Sequence, residues 1–123
     1  MFARAAISPR INNGNRKMEQ LKESDWKRFR KMVPDLRERY LKVKNRELVA
    51  ILMASDKTPT DQFWDTFEAM KKEQKVLVDC LDDHRRSTML MSMALMCRYG
   101  MLNADDLKEF SEGLQGEMSR YLR

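Results

Sequence analysis

The feature that most constrains the fold of this chain is a run of 40 residues, 60–99, that contains neither Pro nor Gly. These two residue types are the strongest helix breakers, so their absence allows helix throughout the run. Mostly apolar side chains recur in it at alternating intervals of four and three residues, which places them along one side of an α-helix. The positions with this spacing are Phe63, Phe67, Met70, Gln74, Leu77, Leu81 and His84. The pattern predicts a seam of the kind through which helices pair in coiled coils.

A single helix from Pro59 to Tyr99 would be about 60 Å long at 1.5 Å per residue, which is long for a compact domain of this size. The polar segment 82–87 offers a break, with Ser87 as the cap of a separate helix that ends at Tyr99. The alternative is an unbroken helix that pairs with a second copy of the chain. The sequence slightly favours the break.

Three short signals predict other helix ends. Thr58 suits the N-cap position before Pro59, because its hydroxyl can accept from a free amide of the first turn. Gly100 suits the left-handed residue that ends a helix, and Asn103 suits the N-cap of the last one. The apolar side of that last helix comprises Leu107, Phe110, Leu114, Met118 and Tyr121.

Pro34 predicts a joint between two helices, because proline donates no amide hydrogen bond but fits the first turn of a helix. The helix before it begins near Met18 or is capped by Ser24, and it ends near Met32. The helix after it runs to about Ala54.

The chain has 123 residues, of which 42% are hydrophobic, and only four Gly and three Pro. Together with the helix signals, this composition predicts an all-α fold: a four- or five-helix bundle with a long central helix that is either kinked or straight. We expect one helical domain over residues 18–123. Residues 1–17 contain four basic and no acidic residues, and we expect them to form a flexible basic arm.

The cysteines and the apolar runs predict a cytoplasmic setting. Cys80 and Cys97 both lie in apolar helical sequence, which is typical of buried thiols in a reducing compartment. The longest apolar run, 89–97, is far shorter than the ~20 residues that span a bilayer. The first 17 residues lack the apolar core of a secretory signal, although their Arg-rich, acid-free character leaves organelle import as the alternative.

Charge is distributed unevenly along the chain. Residues 1–46 hold 14 Lys or Arg and five Asp or Glu, a net charge of +9, whereas the remainder carries −4. Basic residues on helices, with Trp26 among them, are typical of proteins that contact phosphate backbones, so nucleic-acid or polyanion binding is one hypothesis. The alternative is that these cations are solvated or pair with the acidic remainder of the chain. The residues assigned to polyanion binding are Arg4, Arg10, Arg16, Lys17, Lys27, Arg28, Arg30, Lys31, Arg37, Lys42 and Lys44.

No cofactor or metal is predicted. Cys80 and His84 share a helix face, but zinc requires three or four ligands and His84 is the chain's one histidine. The 11 methionines suggest Cu(I) chemistry only weakly, because Met89 and Met93 share a helix face whereas Met91 points away from it. Such methionines usually fill gaps in a core.

We expect a non-catalytic interaction or regulatory module, because no acid–base pair, nucleophile or phosphate-binding loop can be assembled from the sequence. Its surplus of apolar helix surface predicts self-association, most simply as a homodimer, and binding to another protein. The residues assigned to self-association are Phe63, Phe67, Met70, Leu77 and Leu81. Polyanion binding is the alternative function. The second alternative is a small-ligand pocket around Trp64, Phe67, Met93 and Tyr99.

Overall fold

The computed structural model describes residues 21–123, and this part of the chain is all-α, with five α-helices and one short 3₁₀ turn. The all-α, four- or five-helix prediction is therefore confirmed. The elements are α1 Glu23–Leu52, α2 Pro59–Leu81, the 3₁₀ turn Arg86–Thr88, α3 Met89–Arg98, α4 Ala104–Leu107 and α5 Glu112–Ser119. The expected basic arm, with Arg4, Arg10, Arg16 and Lys17, and the helix start at Met18 lie outside the described residues.

The first long helix does not break at Pro34, so the predicted joint is wrong. Helix α1 continues through Pro34 for 30 residues and about 45 Å. Proline removes the amide that would bond to the carbonyl of Arg30, but both residues are exposed, so water can satisfy that carbonyl. Ser24 lies inside α1 and is not its N-cap. The N-cap residue is Lys22, whose side chain makes no capping hydrogen bond.

Helices α1 and α2 form an antiparallel hairpin. Thr58 caps α2 as predicted: its Oγ1 accepts a hydrogen bond from the Asp61 amide at 3.1 Å. The connection is closed by the Gln62 side-chain amide, which donates to the carbonyl of Ala54 at 2.7 Å. The spacing of apolar positions thus produces two long helices whose inner sides face each other along the hairpin.

The break predicted within residues 82–87 is confirmed, but Ser87 is not the cap. Helix α2 ends at Leu81, and Asp83 adopts a left-handed conformation with φ of 58°. The capping hydroxyl belongs to Thr88, whose Oγ1 accepts from the Arg85 amide at 3.0 Å. The chain therefore turns before α3, and the four-and-three spacing does not continue as one helix.

In the C-terminal part of the chain, two predicted helix ends are confirmed, and the prediction of a single last helix is wrong. Gly100 has a φ of +80° and ends α3, with the following Met101 amide donating back to the carbonyl of Met96 at 2.8 Å. Asn103 caps α4. The predicted single last helix is instead two, because Ser111 caps a new helix and donates from both its amide and its hydroxyl to the carboxylate of Asp25 in α1.

The buried core lies at one end of the hairpin, which we call the base. It is built from the first half of α1, the last residues of α2 and the elements that follow. Its members are Trp26, Phe29, Leu36, Tyr40, Val76, Cys80, Met89, Met93, Met96, Cys97, Met101, Leu102, Leu107, Phe110, Leu114 and Met118. No apolar residue between Leu41 and Lys75 belongs to this core. The far part of the hairpin therefore stands beyond the base with its own apolar residues.

Candidate interaction surface on the α1–α2 hairpin

The far part of the hairpin exposes large apolar side chains. Phe63 is 57% exposed, Met70 54% and Phe67 43%, although each lies on the seam that the sequence predicts. Water contact with so many apolar side chains in one region is unfavourable at about 25 cal/mol per Å². Such a region is typical of a binding surface.

Two of these side chains, Phe67 and Met70, border a groove between the two helices. The groove has a volume of about 360 Å³, and its apolar walls are Leu41 and Leu48 from α1 and Phe67, Met70 and Leu77 from α2. We call these five residues, together with Phe63, the hairpin face. Phe63 lies one helical turn from Phe67 on the same side of α2. The structure thus gathers Phe67, Met70 and Leu77 of the predicted set in one groove.

Leu81, the last of the predicted set, lies one turn beyond Leu77 and is partly buried against the core of the base. Sequence reasoning missed Leu41 and did not assign Leu48 to this surface. Their separation of seven residues is the signal that would have found them, because it equals two helical turns. The hairpin face therefore has one wall from each helix.

Aromatic packing holds the exposed rings in place. Trp64 packs edge-on against Phe63 at 5.0 Å and against Phe67 at 5.8 Å between ring centroids. The ammonium group of Lys71 lies 5.5 Å from the Phe67 ring, within the range of a cation–π contact. These contacts limit the motion of the rings, so less entropy is lost when a partner covers them.

A polar network beneath the groove fixes how the helices align. The Tyr40 hydroxyl donates to Glu73, and Lys44 lies 3.8 Å from the other Glu73 oxygen and 5.4 Å from the Tyr40 ring. Burial is the main cause and the hydrogen bond to Glu73 the second cause that raise the pKa of the Tyr40 hydroxyl above its ordinary value. The phenol therefore remains a hydrogen-bond donor, and it anchors α2 to α1.

The charged side chains of Lys44, Lys71 and Glu73 also line the groove, and two amide side chains interrupt its apolar walls. Asn45 lies between Leu41 and Leu48 along α1, and Gln74 lies between Met70 and Leu77 along α2. Neither side chain makes a hydrogen bond with any of the residues 21–123. Each amide carries a donor and an acceptor that a partner can use.

Several predicted polyanion-binding residues are engaged within the fold. Arg28 lies 3.7 Å from Glu109, Arg37 pairs with Glu38 and Lys44 pairs with Glu47 and Glu73. Cations of α1 are thus partly matched by acids of α1 itself and by acids from the later part of the chain.

Arg39 makes the strongest of these links, since it bonds to both oxygens of Asp106 and to the carbonyl of Met101. Burial acts to raise the pKa of Asp106, but hydrogen bonds from Arg39 and from the Asn103 amide outweigh it and lower that pKa.

The other described members of the predicted set are more available. Lys27, Lys31 and Lys42 are exposed and make no ion pair with the described part of the chain. Arg30 lies over the Trp26 ring at 5.7 Å, and Arg86 lies 5.4 Å from the centroid of the same ring. The free cations therefore lie along the outer side of α1, while the others are held in separate local contacts.

The thiols and the histidine are built into the base. Burial raises the pKa of Cys80 to about 12 and that of Cys97 to about 11. Nε2 of His84 is 2.7 Å from the carbonyl oxygen of Cys80, and the ring packs edge-on against Phe29 at 5.0 Å. Within residues 21–123, no three His, Cys, Asp or Glu side chains are grouped as metal ligands.

The residues of the small-ligand hypothesis lie apart. Phe67 lines the hairpin groove, whereas Tyr99 lines a different hollow beside Gly100 and Arg123. Met93 is fully buried and Trp64 is 54% exposed. The structure does not form one pocket from these four residues.

No described helix is long and apolar enough to cross a membrane. No family model, curated protein or solved structure matches this chain. Inferences about its function therefore depend on the geometry of the surfaces described above.

Proposed function

We propose that this protein is a non-catalytic helical interaction module that self-associates through the hairpin face. The observation that carries the proposal is the groove between α1 and α2, where Phe67 and Met70 remain exposed beside partly buried leucines of both helices and follow coiled-coil spacing on α2. A helix with such a seam gains stability when a second apolar helix surface covers it.

A second copy of the chain is the partner that this surface fits. Two antiparallel helices with one apolar face are half of a four-helix bundle, and two such halves close the bundle. A two-fold interface requires a self-complementary patch, and the groove presents the apolar hairpin face, two amide side chains and charges of both signs on Lys44, Lys71 and Glu73. The base, which has its own core, can fold before the faces meet.

The exposed area predicts a weak dimer. A half-exposed Phe or Met offers roughly 100 Å², and the six residues of the hairpin face together offer about 400 Å² per copy. A standard interface buries about 800 Å² per partner, so this patch offers about half of that and lies below the standard range. We therefore expect weak association with a clear dependence on protein concentration.

Sedimentation equilibrium from about 1 μM to about 1 mM tests the proposal. The wild-type chain should shift from monomer to dimer, and Phe67→Lys should remain monomeric because it places a charge in the groove. Met91→Lys is the matched control, since Met91 is 69% exposed but lies on α3. Circular dichroism checks that both variants fold. A wild-type chain that is monomeric throughout the range would refute self-association.

Polyanion binding along the outer side of α1 is the second candidate function. It is supported by Lys31 and Lys42, which are exposed and make no ion pair within the described chain, and by Lys27, which is exposed and interacts electrostatically with Glu23. Retention on heparin should fall steeply with salt if phosphate-like contacts form. The double variant Lys31→Glu/Lys42→Glu should elute earlier than Lys108→Glu, which makes a smaller charge change away from α1. Equal elution of both variants and the wild type would reject this function.

A further inference from the structure

We infer that the two copies pack with their α2 helices antiparallel, so that the far end of each hairpin covers the base end of the other. This inference rests on the proposed self-association and specifies the partner's orientation. It follows from the chemistry of the residues on either side of the middle of α2.

The seam of α2 is symmetric about residue 72. An antiparallel pairing centred there places Phe63 opposite Leu81 of the second copy and Phe67 opposite its Leu77, because each pair is equidistant from the centre. The two phenylalanines are the exposed half of the seam, whereas the two leucines are partly buried against the base. Each exposed aromatic ring therefore meets a leucine that the base already holds in place.

The flanking residues support the same orientation. Trp64 and Val78 are 54% and 50% exposed. They are 14 residues, or two heptads, apart, so both occupy the same position along one edge of the seam. In an antiparallel pair of helices, the residues along this edge of one helix lie next to the residues along the same edge of the partner helix. Trp64 thus approaches Val78 of the second copy, and both exposed apolar side chains are covered.

The centre of the pairing is polar. Met70 lies opposite Gln74 of the second copy, and Asn45 lines the same groove. By the two-fold symmetry, Gln74 of each copy faces Met70 of the other, so each amide lies beside an adaptable thioether side chain and lowers the stability of the seam relative to an all-apolar one. Lys71 of each copy approaches its counterpart near the two-fold axis, where the neighbouring Glu68, 4.0 Å away, moderates the repulsion.

Disulfide trapping distinguishes this orientation from the alternatives. Met70→Cys protein mixed with Gln74→Cys protein should form a mixed disulfide in most of the material under mild oxidation, because these positions face each other. Either variant alone should form only traces. The native thiols should not interfere, because burial raises the pKa of Cys80 to about 12 and that of Cys97 to about 11.

Sedimentation of the reduced variants shows whether they still dimerise. Should the seam substitutions weaken the dimer, Lys71→Cys and Trp64→Cys provide an independent test from exposed positions. In the antiparallel pairing a short bis-maleimide should link two copies of Lys71→Cys but not two copies of Trp64→Cys, whereas parallel helices would allow both links. Trapping of Met70→Cys with itself would indicate parallel α2 helices and overturn the inference. A stable dimer with no mixed disulfide and no Lys71→Cys link would also overturn it, whereas a monomeric wild-type chain would refute the proposed function itself.

Discussion

The two methionines at positions 91 and 93 of α3 provide a matched test of the fold. They have the same side chain on the same helix, but Met93 is fully buried whereas Met91 is 69% exposed. Replacing Met93 by Ala removes three heavy atoms from the core. The lost burial of a Met side chain amounts to about 2 kcal/mol. The cavity that remains adds to this, so the total is expected near 3 kcal/mol within a usual range of about 2–5 kcal/mol.

Met91→Ala should change the free energy of unfolding by less than about 0.5 kcal/mol, because the side chain already contacts water and Ala is a good helix former. Urea denaturation followed by circular dichroism measures both variants at one protein concentration. Thermal unfolding should show a drop of roughly 12–24 °C for Met93→Ala and little change for Met91→Ala. Equal losses for the two variants, or a larger loss at Met91, would refute the assignment of the two faces of α3.

Three other substitutions test particular contacts. Pro34→Ala should raise the free energy of unfolding by about 1–3 kcal/mol in urea denaturation, because it restores the backbone hydrogen bond that α1 lacks at this position. No gain in stability would indicate that the helix is interrupted there. Asp106→Asn should remove part of the loss of stability in acid. The pKa of the Asp106 carboxyl is lowered in the folded chain, so its contribution to the free energy of unfolding is present above its unfolded pKa and is lost as the pH falls through its folded pKa. Urea denaturation at a series of pH values between pH 6 and pH 2 measures this loss in the wild type and the variant. Tyr40→Phe should cost about 1–2 kcal/mol, because Glu73 loses a hydrogen bond in a partly buried site, and unchanged stability would mean that the network does not anchor α2.

The helix ends that the sequence predicts correctly depend on chemistry within a few residues. Thr58 caps the residue three positions later, and Gly100 provides the left-handed turn that its own backbone allows. Some errors are local, such as the assignment of the cap to Ser87 and not to Thr88, but others occur where distant residues decide the outcome. At Ser111 the local hydroxyl cap is joined by a contact with Asp25, 86 positions earlier, which accepts from the Ser111 amide and hydroxyl and which no local pattern contains.

The binding surface shows the same division between local and long-range information. The wall of α2 follows from its four-and-three spacing, which is visible in the sequence. Assigning Leu41 and Leu48 to the opposite wall requires the alignment of the two helices, which is set by contacts such as that between Tyr40 and Glu73. Likewise, the basic character of α1 is evident from composition, but the engagement of Arg39 by Asp106 depends on residues 67 positions apart.

The separation of the core from the hairpin face has a thermodynamic consequence. The buried residues of the base contribute to folding within one chain, so substitutions there should change stability equally at every protein concentration. The hairpin face lies outside that core, and an isolated pair of helices is only marginally stable without tertiary packing. If a second copy covers this face, its contribution enters through mass action, and the apparent stability of the wild-type chain should increase with concentration. Substitutions such as Phe67→Lys should then abolish the concentration dependence while leaving the stability of the dilute protein nearly unchanged, which separates the role of this surface in association from any role in folding.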